Sequence, residues 1–364
     1  MDKTDYQNAV EQLQIIQKIH GTTVNNEAIE DTFLQREKMM LSLGNRTVED
    51  VERSEKHYRQ ELLKYPLLTE HENVLCNWIL NDMLNILYET RNNIKSGEND
   101  PSLNFEMPVI GSVDFGYYDA RAMNENGAKV VLISRSLLTS TVFLASIVAQ
   151  SSMNQSRGLS NDYINQYFID MAIAFHFKYD IASVAKRCPI IDWTACMMGE
   201  TLSATSNLFI VAHEYSHLIL NHPQGYYERN SPKKPYIYEK EADELAGLLC
   251  GIVISANKES KHAFSFPGLA FAVCALDLFN DILSVLNENK WDPDINTHPL
   301  NRTSVAPDVM QRFKYYDKKG VEIIAFMLGD MHRLWEDNKD KIKIFITKHH
   351  EGLSYEEMQK QIYG

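Results

Sequence analysis

His213-Glu214-Tyr215-Ser216-His217 decides how this chain is read, because two imidazoles four residues apart, with a glutamate beside the first, have the spacing of a helical metal site. On an α-helix an i, i+4 pair lies on one face, about 6 Å apart along the axis, so both rings reach one tetrahedral ion. Glu214 then stands where it can act on a water in the fourth position. The flanks are apolar: Leu208-Phe209-Ile210-Val211-Ala212 leads in and Leu218-Ile219-Leu220 leads out. Such a helix buries in a core, where titratable side chains are costly without a partner and a metal supplies one. The plainer alternative is a buried helix whose histidines hydrogen-bond to neighbours. His222 falls off the metal face and reads as a helix-end histidine.

A peptidase-type site needs a third protein ligand and an open fourth position. Beyond a loop rich in turn formers (Pro223, Gly225, Ser231, Pro232, Pro235), the chain reads Tyr238-Glu239-Lys240-Glu241-Ala242-Asp243-Glu244-Leu245-Ala246-Gly247. Positions 239, 242, 243, 246 and 247 share a helical face of mostly small residues that can pack closely on the first helix. Glu239 can therefore point at the metal. Asp243, one turn on, could accept the spare N–H of His213 or of His217, while Glu241 and Glu244 face elsewhere. The alternative is an ordinary solvated, charged helix.

These residues resemble the gluzincin zinc metallopeptidases, which carry HExxH followed by ExxAD on a second helix, as do the HtpX and CAAX prenyl protease branches. A third element, Thr297-His298-Pro299-Leu300-Asn301-Arg302, adds a His-Pro with a downstream arginine. The order HEYSHLILNHP (213–223), EKEADELA (239–246) and NTHPLNR (296–302) most resembles the Lit-type phage-exclusion peptidases, over roughly residues 205–305. The resemblance implies a zincin-like domain with Zn²⁺ on His213, His217 and Glu239 and with Glu214 as general base. It also implies that His298 donates to the oxyanion with Arg302 near it; Arg312 is the other candidate arginine. Its substrate would be a cytosolic protein, elongation factor Tu by analogy. In gluzincins the strand before the zinc helix lies at the cleft edge and pairs with extended substrate, and Val130–Ser134 is the candidate here. ImmA/IrrE-type peptidases share HExxH and an acidic helix but lack the His-Pro element, so they come second. A regulatory or binding protein that retains a zinc site is the reading from another class; the intact Glu214 speaks against it.

The bulk properties bound the rest. With 364 residues, 44% of them hydrophobic, the chain can bury one large core or two modest ones. A net charge of −13 argues against nucleic-acid binding. Cys76, Cys188, Cys196, Cys250 and Cys274 are odd in number and form no CxxC pair, which fits a reducing, cytoplasmic setting. No signal-like run opens the sequence, and the longest apolar stretches noted, Leu245–Ala256 and Phe264–Phe279, are interrupted, so no membrane span is expected.

Periodicity organises the chain as α+β and predominantly helical. An N-terminal helical region (1–100) carries helices at Tyr6–His20, Glu27–Leu43, Val48–Lys64 and Thr69–Asn93, and ends in a turn-rich stretch at 95–102. The zincin-like metallopeptidase domain (101–315) begins with two β-rich runs, Ser112–Ala120 and Ala128–Ser134, around Asn124-Glu125-Asn126-Gly127, a hairpin signal in a small sheet. Helices follow from Leu137 to Met198, with a turn at Cys188–Trp193, and again at Leu269–Leu286. The Trp291–Asp294 loop leads to His298, and a charged helical extension (316–364) closes the sequence.

Overall fold

The structure, a computed structural model, describes residues 3–20, 23–44, 46–95, 107–113, 120–125, 127–177, 192–223, 235–256, 267–286, 318–354 and 357. The turns expected at 95–102, 188–193 and 291–294 lie wholly or largely outside these, as do Cys188, His298, Arg302 and Arg312.

Four helices open the chain: α1 (Lys3–His20), α2 (Asn26–Leu43), α3 (Val48–Leu62) and α4 (Val74–Lys95). Their periods are those of the sequence, except that α4 starts five residues later than Thr69. The reason is a side-chain cap: the Cys76 N–H donates to Asn73 Oδ1 at 3.0 Å, and the Val74 N–H donates to Asn26 Oδ1 at 2.8 Å.

Three strands follow, β1 (Val109–Val113), β2 (Ala120–Glu125) and β3 (Ala128–Ser134), in the order β1-β3-β2. β1 runs parallel to β3, and β2 runs antiparallel to it. The hairpin is real, but its first strand is 120–125 rather than 112–120, with Glu125 opposite Ala128. Gly127 supplies the positive φ, +87°, that such a turn demands. Val130–Ser134, expected at the edge, belongs instead to the central strand, with β1 and β2 on either side of it. Alternation explains the placement, since β3 buries both faces. Val130 and Leu132 pack with Ala9 and Leu13 of α1, while Val131 and Ile133 join the main core. At Gly111 a β-carbon would come within 2.6 Å of the Leu13 side chain, so the glycine admits α1 onto the sheet.

The remaining helices among the described residues are α5 (Arg135–Ser156), α6 (Asp162–His176), α7 (Trp193–Ile219), α8 (Pro235–Ala256), α9 (Pro267–Ser284) and α10 (Lys318–His350). The 27-residue α7 is the axis of the molecule, packed by α5, α8 and α9 and flanked by β2. The C-terminal α10 buries the stripe Met327, Met331, Leu334, Ile342, Phe345 and Ile346 against α5, α6 and α9. Among the described residues two helices, α5 and α9, are long and apolar enough to cross a membrane; 72% and 61% of those windows are buried against the rest of the protein. The architecture is thus α+β and mainly helical, with one small sheet.

Candidate metal centre

The metal motif lies in the last turns of α7, a helix started by Asp192, whose carboxylate accepts the Ala195 N–H at 3.0 Å. Opposite it runs α8, whose buried face is Tyr238, Glu239, Ala242, Asp243, Ala246, Gly247, Leu249 and Cys250. The small residues on this face let the two helices approach, and the close approach delivers Glu239 and Asp243 to the histidines. His213, His217, Glu214, Glu239 and Asp243 are all buried, at 7%, 5%, 8%, 6% and 1% exposure.

His213 Nε2 and His217 Nε2 are 3.0 Å apart. Glu239 places Oε2 at 3.1 Å from the first and Oε1 at 3.8 Å from the second. A tetrahedral ion with bonds of 2.0–2.1 Å has ligand–ligand edges of about 3.3 Å, within that range. The three residues could therefore hold a metal ion. The outer nitrogens are held too. The Nδ1–H of His213 donates to Asp243 Oδ1 at 2.8 Å, so of the two histidines open to Asp243 in the sequence, the structure selects the first.

Charge makes the same case. Burial disfavours the His213 imidazolium, but the Asp243 and Glu239 carboxylates outweigh it and raise its pKa to about 10. His217 is pushed down to about 3, by burial first and then by the charge on His213. The carboxylates of Glu239 and Asp243 thus act on both rings, and a divalent cation at the shared Nε2 position would be stabilised by the same charges.

No family model, curated protein or solved structure matches this chain.

Two contributors escaped the sequence reading. His222 does sit at the helix end, but it does not point away: Asn221 takes a left-handed φ of +52°, the His222 N–H returns to the His217 carbonyl at 3.0 Å, and His222 Nδ1 comes to 2.8 Å from His217 Nδ1. Glu241, assigned to another face, reaches His222 Nε2 at 3.3 Å. The available signal was Asn221 directly after an apolar helix, an αL cap that folds the next residue back on the last turn.

Proposed function

We propose that the chain is a zinc-dependent endopeptidase with a zincin-like catalytic region. The observation that carries this reading is the donor set: two imidazoles and one carboxylate converge on one point, with a further buried carboxylate, Glu214, next in sequence to the first histidine. Structural zinc sites are closed by four protein ligands, usually with cysteines, whereas two histidines and a glutamate are a hydrolytic set that leaves a position open.

Zinc, when bound, polarises the scissile carbonyl and makes a water nucleophilic near neutral pH. Glu214 takes the proton of that water and hands it to the leaving amine. Asp243 fixes His213 as the Nδ1–H tautomer, leaving Nε2 as the donor to the metal. His298 and Arg302, with Arg312 as the alternative arginine, are assigned to the oxyanion by resemblance, so His298→Ala should lower kcat by about 10²–10³ at constant zinc content. β2 and β3 both pack against α7, but β3 is paired on both sides, so the edge-strand role that gluzincins use for extended substrate passes from β3 to β2.

The substrate we propose is a cytoplasmic protein cut during phage defence, with elongation factor Tu as first choice on the Lit-type resemblance. The test expresses the parent chain and Glu214→Gln in parallel, with and without phage challenge, and maps new protein N-termini while following elongation factor Tu on a gel. The expected result is termini generated by the parent and absent from Glu214→Gln, with equal zinc in both proteins. Identical termini from both would remove Glu214, and with it the peptidase, from the account. A different protein cut, with the factor intact, would replace the substrate alone.

A further inference from the structure

His222 and Glu241 extend the metal centre beyond the groups that any hydrolytic step requires. From Asp243 to Glu241 the side chains form one line: Asp243 Oδ1 to His213 Nδ1 at 2.8 Å, His213 Nε2 to His217 Nε2 at 3.0 Å, His217 Nδ1 to His222 Nδ1 at 2.8 Å, and His222 Nε2 to Glu241 Oε2 at 3.3 Å. A carboxylate terminates each end. The directions of the hydrogen bonds follow from the ends inward. Carboxylates accept, so His213 carries its proton on Nδ1; the Glu241 carboxylate faces His222 Nε2 at ion-pair rather than hydrogen-bond geometry, and its charge favours the His222 proton on that nitrogen. With Nε2 protonated, the Nδ1 of a neutral His222 is a lone pair, and it accepts the Nδ1–H of His217. That leaves the Nε2 lone pair of His217 aimed at the metal position.

We infer that His222, oriented by Glu241, is a positioning residue for His217, doing for the second ligand what Asp243 does for the first. The inference rests on the metal-centre reading of the proposed function. The ring of His222 is held in place independently of the metal, by the backbone return to His217 and by edge contact with Tyr238 at 4.9 Å between centroids. The two ligands are not supported equally. Asp243 is 1% exposed, and its hydrogen bond is direct and charge-assisted. The His222 link ends on a carboxylate that is 3.3 Å away and 38% exposed, so His217 is the more weakly anchored ligand.

The experiment measures zinc affinity of the full chain by competition with a chromophoric chelator. It uses His222→Asn, His222→Phe and Glu241→Ala, with His217→Ala as reference. Asparagine returns an acceptor oxygen near the place of Nδ1 but fills less space; phenylalanine keeps the ring and its packing on Tyr238 but has no acceptor. A positioning role predicts that His222→Asn stays within about threefold of the parent and that His222→Phe loses about 10- to 100-fold. Glu241→Ala should fall between them. The Co²⁺-substituted proteins give a second readout, with ligand-field absorption unchanged in His222→Asn and altered in His222→Phe. If His222→Phe binds zinc like the parent and His222→Asn does not, the residue only packs and the inference is overturned. If no His222 or Glu241 variant differs from the parent while His217→Ala abolishes binding, the inference falls and the metal centre stands. Zinc binding by His217→Ala at parental affinity would remove the metal centre itself.

Discussion

The Nε2 atoms of His213 and His217, 3.0 Å apart, have room for one positive charge between them, a proton or a metal ion. Because the carboxylates of Asp243 and Glu239 keep His213 protonated well above neutral pH in the metal-free chain, binding must displace that proton. The sign follows: below the raised pKa of His213, apparent zinc affinity should climb with pH, about tenfold per unit for one proton released. Calorimetry in buffers of different ionisation enthalpy checks it, and a release of no proton at pH 7 would contradict the assignment. Asp243→Asn keeps an acceptor but loses its charge, and should weaken zinc binding by about 10- to 100-fold. The candidate ligands were legible from the i, i+4 spacing taken with its apolar flanks and with the small, acidic face of the helix that follows. The choice of His213 over His217 as the partner of Asp243 was not, because it depends on the axial offset between α7 and α8, which no local pattern encodes.

At the scale of elements, the site depends on how α7 begins and on what packs along it. Asp192 caps α7, accepts from Ala195 and pairs with Arg157. Burial works against its charge, but the backbone N–H and Arg157 outweigh burial and hold its pKa below the usual carboxylate range. A depressed folded-state value means the stabilisation is present above the ordinary carboxylate pKa and is lost as pH falls through the lowered one. Asp192→Ala should therefore cost about 1 kcal/mol near neutral pH, with a smaller difference from the parent in acid, as urea titration would show. Gly199 is a second critical position: a β-carbon there would lie 3.0 Å from the Ser146 backbone of α5. Backbone cannot move aside as a side-chain end can, so Gly199→Ala should destabilise by about 1–3 kcal/mol despite its better helix propensity. An unchanged denaturation midpoint would show that α5 and α7 have slack at this crossing. Helices with a clear apolar stripe, such as α4 and α10, were legible from period. β2 was not, because Ala120–Glu125 has no β-branched or aromatic residue and its strand identity comes from pairing with β3 rather than from its own residues.

Taken whole, the molecule wraps a helical core and a three-stranded sheet around a pair of helices that bring Glu239 and Asp243 of one against His213 and His217 of the other. The fold class was legible because long apolar and amphipathic periods dominate the chain. The packing of α1 on the sheet was not, since α1 reads like its amphipathic neighbours and only Leu13, seated over Gly111, reveals what it covers. A metal at the buried cluster makes stability depend on the ion: at free zinc about a thousandfold above its dissociation constant, binding adds about 4 kcal/mol and chelation should lower the melting temperature by a few degrees. The most direct test is elemental analysis of the parent chain and His217→Ala after identical reconstitution with zinc and gel filtration. The account predicts one zinc per parent chain and under about a tenth of that in His217→Ala. A reconstituted parent without zinc, or a variant that keeps the full amount, would contradict it.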